Sequence, residues 1–90
     1  MELLKQEDKT MLEIGRCEKE ILGEMVVYSL FMKRENHIKT YGIRISRGAD
    51  NESCYLNGDL FRCVSFLERL INGEVFPYSL HELAEDFLGE

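Results

Sequence analysis

Two amphipathic segments in the last third of the chain need an apolar surface to pack against. The first has apolar side chains at three- and four-residue spacing, which predicts a helix from Leu60 to Asn72. The side chains of this stripe are Leu60, Cys63, Val64, Leu67, Leu70 and Ile71. Leu80 to Leu88 repeats the pattern after Pro77, which prevents the first helix from continuing. Because helices this short with one apolar face are not stable alone in water, an earlier part of the chain must cover them.

Both ends of the first helix have residues that suit helix caps. Asp59 precedes the helix, and its carboxylate can accept a hydrogen bond from a free amide of the first turn. Gly73 follows the helix, and we expect it to adopt the left-handed conformation that ends many helices. The sequence therefore predicts both boundaries of this helix.

The segment of residues 24–33 alternates between two sets of side chains that are both largely apolar. The first set is Val26, Tyr28, Leu30 and Met32, and the second is Met25, Val27, Ser29 and Phe31. A period of two predicts a strand, and two apolar sets predict a central strand that is covered on both faces. Residues 38–47 are predicted as the return strand of a hairpin. Its core side is Tyr41, Ile43 and Ile45, and its other side is Thr40, Gly42 and Arg44.

The fold class predicted from these elements is α+β. Residues 11–22 suit either a helical stripe or alternation, and we favour a short strand at residues 12–17; a further short strand is expected at residues 53–56, after the hairpin. The result is one domain, with an antiparallel meander of three to four strands in residues 11–56 and the helical pair of residues 59–88 on one face. Residues 1–10 are polar, and we expect them to be frayed.

Because both sides of residues 24–33 are apolar, the sheet face that points away from the helices should also be packed against something. Either residues 1–22 fold over Met25, Val27 and Phe31, or a second copy of the protein does. We favour the first arrangement, because it loses no association entropy. With Arg44 of the return strand, these three side chains form the predicted interaction surface.

Composition and cysteine content indicate a cytoplasmic protein. The chain is 44% apolar and 31% charged, which is typical of soluble domains, and no apolar run approaches the roughly 20 residues of a membrane span. The first residues lack the basic-then-apolar order of a secretion signal. The three cysteines are odd in number and have no CxxC spacing, so we expect no disulfide framework.

The residues that could support catalysis or metal binding do not form a recognised set. A zinc site made of Cys54, Cys63 and His81 is the alternative considered, but structural zinc sites normally use four ligands and begin with a close pair. The acidic run Glu82, Glu85, Asp86 and Glu90 is more typical of a solvated helix face than of a cation site. We therefore expect no enzymatic activity, no catalytic residue, no bound metal, no cofactor and no small-molecule substrate.

Nucleic acid is the second partner considered. Basic side chains cluster on the hairpin of residues 33–47, and β-ribbons can bind nucleic acid. They are Lys33, Arg34, Lys39, Arg44 and Arg47. However, the chain has a net charge of −6, and residues 51–90 carry eight acidic and two basic side chains. Since this half would repel phosphates, a protein partner is favoured.

Short motifs resemble a family of small clostridial-type bacterial proteins of unknown function. They are Tyr28-Ser29-Leu30, Tyr41-Gly42-Ile43-Arg44-Ile45 and the ending from Pro77 to Leu88 that contains Glu85-Asp86-Phe87-Leu88. The resemblance covers residues 24–88 and implies a cytoplasmic bacterial protein with a sheet followed by two helices. It supplies no activity and no catalytic residues. Together with the second sheet face, it leads us to expect a small interaction or regulatory module that binds an unidentified protein or a second copy of itself, and that binds no membrane.

Overall fold

The computed structural model describes residues 11–56 and 58–88, with side chains as far as Phe87. Four strands are followed by two α-helices with a short 3₁₀ helix between them. In chain order the elements are β1 (Met11–Ile21), β2 (Glu24–Glu35), β3 (Ile38–Arg47), β4 (Asp50–Leu56), α1 (Leu60–Asn72), the 3₁₀ helix (Pro77–Ser79) and α2 (Leu80–Leu88). The predicted α+β architecture is confirmed. The expectation that residues 1–10 are frayed lies outside the described residues.

The sheet is an antiparallel meander in which neighbouring strands follow the order of the chain. Two-residue turns at residues 22–23 and 36–37 join β1 to β2 and β2 to β3, and all four of these residues have positive φ. This is the geometry of type I′ hairpin turns, whose twist matches that of the strands they connect. The tight turns keep each strand paired along most of its length, so β1 and β4 are longer than the predicted segments 12–17 and 53–56.

A β-bulge at Ile14 interrupts β1. Glu13 lies opposite Phe31 and Gly15 opposite Leu30, so Ile14 has no partner of its own in β2. The extra residue reverses which side chains of β1 face the helices. Because β1 lies flat at the edge of the sheet, its residues do not fold over the second face. The expectation that residues 1–22 cover Met25, Val27 and Phe31 is therefore wrong for β1.

The apolar core lies between one face of the sheet and the two helices. Helix α1 crosses β2 and β3, while α2 packs against β4. The rings of Phe66 and Phe87 stack with their centroids 4.5 Å apart, which joins the helices to each other. The large side chains with almost no exposure include Val26, Tyr28, Ile43, Ile45, Leu56, Cys63, Leu70 and Leu80. The core strands are therefore the central pair, β2 and β3.

The buried face of α1 is rotated relative to the predicted stripe. Phe66 is buried, although the predicted stripe did not include it, whereas Leu60 and Val64 are 42% and 36% exposed. The helix turns Phe66 inward because its ring stacks on Phe87 of α2. The inclusion of Leu60 and Val64 in the buried stripe was therefore wrong.

The caps of α1 confirm one prediction and correct another. Asp59 accepts a hydrogen bond from the backbone N–H of Arg62 at 2.8 Å, as an N-cap does. Gly73 has φ −84° and remains helical, so its predicted left-handed conformation is wrong. Glu74 takes that role with φ 53°, and Val75 N donates to Leu70 O at 3.1 Å. The helix keeps its predicted end at Asn72, but the left-handed residue comes one position later than predicted, in a Schellman motif.

Candidate functional site

The sheet face that points away from the helices is called here the open face. Its residues follow from the strand register and the alternation of side chains. They are Met11, Glu13, Arg16, Glu18 and Glu20 of β1, Met25, Val27, Ser29, Phe31 and Lys33 of β2, Thr40, Gly42, Arg44 and Ser46 of β3, and Asn51, Ser53 and Tyr55 of β4. The predicted residues Met25, Val27, Phe31 and Arg44 therefore share one face.

Apolar and aromatic side chains occupy the middle of the open face. Met25 and Tyr55 are about half exposed, at 52% and 53%, and Val27 and Phe31 are half-buried. Ser29 is buried between Val27 and Phe31 on the same strand. Small domains rarely leave an apolar row on a central strand open to water unless it contacts something.

Two cationic side chains lie over the aromatic rings of this face. The guanidinium carbon of Arg44 is 5.0 Å from the ring centroid of Phe31, and Nζ of Lys33 is 6.0 Å from that of Tyr55. Contacts of this kind are attractive, and the aliphatic stems of both side chains shield part of the ring surface. The open face is thus partly covered in the isolated chain by the side chains of Lys33 and Arg44.

Gly42 lets the ring of Tyr55 lie across β3. A Cβ atom at position 42 would lie 3.2 Å from Cδ1 of Tyr55 and 3.2 Å from the carbonyl oxygen of Cys54. The hydroxyl of Tyr55 reaches β1, where it donates to Sδ of Met11 at 3.9 Å. A shallow cavity of about 190 Å³ remains beside the ring, between Phe31 and Ser53.

Charge is unevenly placed across the open face. On β1, Arg16 forms ion pairs with Glu18 at 2.8 Å and Glu13 at 3.6 Å, and the hydrogen bond that Arg16 donates to Glu18 raises the pKa of the Arg16 guanidinium. This cluster of two carboxylates and one guanidinium has a net charge of −1. Arg44 lies on the far side of β2, and within the described part of the chain its guanidinium contacts the Phe31 ring. The open face therefore holds an acidic edge and a cation on opposite sides of its apolar row.

The residues of the considered zinc site have other environments. Nε2 of His81 lies 2.9 Å from Oε1 of Glu52, and all three cysteines are free thiols. Burial raises the pKa of the Cys54 and Cys63 thiols, which favours their neutral form. Across residues 11–56 and 58–88, no group of three or more His, Cys, Asp or Glu side chains is placed to hold a metal ion.

A second concave region lies where β4 meets the 3₁₀ helix. It has a volume of about 330 Å³ and is lined by Arg47, Asp50 and Tyr78, among others. Arg47 pairs with Glu24 and Asp50, each at 3.5 Å, and its guanidinium lies 4.5 Å from the ring centroid of Phe76. The charge of Arg47 is therefore compensated inside the chain, whereas Arg44 has no acidic partner among the residues that the structure describes.

Several residues of the open face were not predicted. The alternation of β4 could have placed Tyr55 there, because Leu56 beside it faces the core. Lys33 was assigned only to the basic hairpin, although the same alternation puts it beside Phe31. Nothing in the sequence indicated that Glu18 lies on the open face, since the bulge in β1 changes which of its side chains point to each side of the sheet.

No family model, no curated protein and no solved structure matches this chain. The resemblance to small clostridial-type proteins therefore stays a prediction. Among the helices described, none has the length and apolarity needed to cross a membrane.

Proposed function

We propose that this chain is a non-enzymatic interaction module of the cytoplasm, which binds another protein through the open face. The observation that supports this most is the apolar row Met25, Val27 and Phe31, which lies on a central strand with no helix packed over it among the described elements. Protein interfaces are enriched in Met, aromatic and Arg side chains, which is the set that this row makes with Arg44.

The surroundings of the apolar row favour binding over chemistry. The cavity beside Tyr55 is shallow and holds about 190 Å³, less than the usual pocket for a small molecule. The charged groups near it are fixed by ion pairs or by rings, as in Arg16 with Glu18 and Arg44 with Phe31. A nearly flat surface with an apolar centre and charged margins suits a protein partner.

Placing a carboxylate in the apolar row should abolish binding. We expect Phe31→Asp and Met25→Asp each to weaken capture of the partner by at least about 30-fold, because interface hot spots contribute 2 kcal/mol or more. The measurement is quantitative affinity capture from a lysate of the source organism. The matched control is Phe61→Asp on α1, since Phe61 is 83% exposed but lies away from the open face.

The proposal fails if Phe31→Asp, Met25→Asp and Phe61→Asp capture the same proteins in the same amounts. Circular dichroism and melting of each variant separate loss of binding from loss of folding. Met25 is the safer position for this purpose, since its side chain is about half exposed and its replacement removes little from the core.

Single-stranded nucleic acid is a second candidate, favoured by the two cation–ring pairs Arg44 with Phe31 and Lys33 with Tyr55. Bases stack on exposed rings, and cations bind phosphates. In that case oligonucleotide affinity should fall steeply with salt, and Arg44→Ala should reduce the slope by about one. If the chain does not bind an oligonucleotide even at low salt, nucleic acid is excluded and a protein partner remains.

A further inference from the structure

We infer that the protein bound by the open face is a second copy of this chain, packed sheet against sheet around a two-fold axis parallel to β2. This inference rests on the proposed use of the open face for protein binding. It follows from three features of that face: its symmetry about β2, its charge and its size.

The apolar row lies on β2, between two strands with opposite charge. On one side is the cluster of Glu13, Arg16 and Glu18 on β1, which carries one uncompensated carboxylate. On the other side is Arg44 on β3, in the same cross-strand row as Arg16. The open face thus has the order acid, apolar, base across the strands.

A two-fold axis along β2 makes this order complementary to itself. In a two-fold contact the same patch is used by both copies, so β2 packs on β2 and each β1 lies over β3 of the other copy. The guanidinium of Arg44 then reaches the cluster of the second copy, where Glu13 and Glu18 flank Arg16. The uncompensated charges of −1 and +1 meet, and this happens twice in each dimer.

The distribution of charge favours this face over the rest of the surface. The open face, as far as it is described, holds three acidic and three basic side chains, so it is neutral. They are Glu13, Glu18, Glu20, Arg16, Lys33 and Arg44. The described residues as a whole hold 13 acidic and nine basic side chains, so their net charge of −4 lies on other surfaces. Two copies repel each other through their other surfaces but not through this one.

The size of the face is sufficient for a dimer at the lower end of the stable class. Four strands about 4.8 Å apart and about ten residues long present roughly 600 Å² per copy. Two copies would bury about 1,200 Å², where stable interfaces begin. We therefore expect a dimer that dissociates on dilution.

Charge reversal tests the contact between Glu18 and Arg44. Glu18→Arg makes the cluster positive and Arg44→Glu makes its counterpart negative, so each variant alone should dimerise at least about tenfold less tightly in sedimentation equilibrium. An equimolar mixture of the two variants should recover affinity to within about threefold of the unmodified chain, because both contacts of the mixed dimer are again between opposite charges. Glu68→Arg on the exposed side of α1 is the matched control and should change nothing.

Three results overturn the inference. The unmodified chain could stay monomeric up to about 1 mM, the two variants could dimerise as well as the unmodified chain, or their mixture could fail to recover affinity while both remain folded. If the chain is monomeric but Phe31→Asp still loses a captured protein, the proposed function stands and only the identity of the partner was wrong. If neither dimerisation nor capture depends on the open face, both proposals fall.

Discussion

Replacing Phe66 with alanine is expected to lower the free energy of unfolding by about 3–5 kcal/mol, the range for large aromatic side chains in cores. Phe66 is 3% exposed, and its ring stacks on Phe87 at 4.5 Å, so truncation leaves a cavity between α1 and α2. A domain of this length has a total stability of about 5–13 kcal/mol, so the variant should be close to unfolding. Urea denaturation followed by circular dichroism measures the change.

Val64→Ala is the matched control for that experiment. Val64 lies half a turn from Phe66 on the same helix and is 36% exposed, so its truncation should change the free energy of unfolding by less than about 1 kcal/mol. If Val64→Ala destabilised the protein more than Phe66→Ala, the buried face of α1 would instead be the predicted stripe that contains Leu60 and Val64.

Tyr28→Phe is expected to destabilise the protein by about 1–3 kcal/mol at neutral pH. The hydroxyl of Tyr28 donates to the carbonyl oxygen of Val75 at 2.9 Å, which attaches the segment after α1 to the central strand β2. Phenylalanine keeps the packing of the ring but leaves that part-buried carbonyl without its donor, and an acceptor that loses its partner where water has little access has a free-energy penalty of this size. Urea denaturation of both proteins at pH 7 measures the difference.

The same tyrosine should make stability depend on alkaline pH. Burial, and then the nearby Glu74 and Cys17, raise the pKa of Tyr28 from 10.0 to about 12. Between these values the unfolded chain releases the proton and the folded chain keeps it, so stability falls as pH rises, by up to about 1.4 kcal/mol per pH unit. Tyr28→Phe has no hydroxyl to titrate, so its free energy of unfolding should not show this decrease. The difference in stability between the unmodified chain and the variant should therefore become smaller as the pH rises from 10 to 12. Parallel curves for the two proteins above pH 10 would contradict the assignment.

The central hairpin could be predicted because each of its strands keeps a regular period of two. Residues 24–33 alternate without interruption, and the predicted core set Val26, Tyr28 and Leu30 is buried in the structure. β1 could not be predicted over its full length, since the bulge at Ile14 moves the helix-facing positions from even to odd numbers and hides the alternation. The position of such a bulge depends on how β1 pairs with β2, and the sequence of β1 alone carries no information about that pairing.

The orientation of α1 was harder to predict because its apolar stripe is wide. Apolar side chains at 60, 61, 63, 64, 66, 67, 70 and 71 cover more than half of the helix circumference. Spacing alone gives two nearly equal choices of buried face, and the contact with Phe87 on another helix decides between them. The positions of the helices in the chain were predictable from the local spacing of apolar residues, whereas the rotation of α1 about its own axis depends on tertiary packing.

The candidate site was predicted only in part, because some of its features follow from local alternation and others depend on tertiary contacts. Met25, Val27 and Phe31 share a face by alternation alone, and Arg44 joins them once the hairpin register is known. The ring of Tyr55 over Gly42 and the ion pairs of Arg16 depend on strand neighbours and side-chain conformation. These are the features that give the open face its shape and its charge order.

The bulge at Ile14 also affects how the β1 edge of the sheet can pair with other strands. An edge strand with regular pairing offers its free amides and carbonyls to any further strand, which is how fibrils grow. In β1 the bulge distorts that edge, and the charged side chains Glu13, Arg16 and Lys19 follow one another along it. Addition of a further strand at the β1 edge is thereby disfavoured, which leaves β4, with its regular pairing to β3, as the edge that could still accept one.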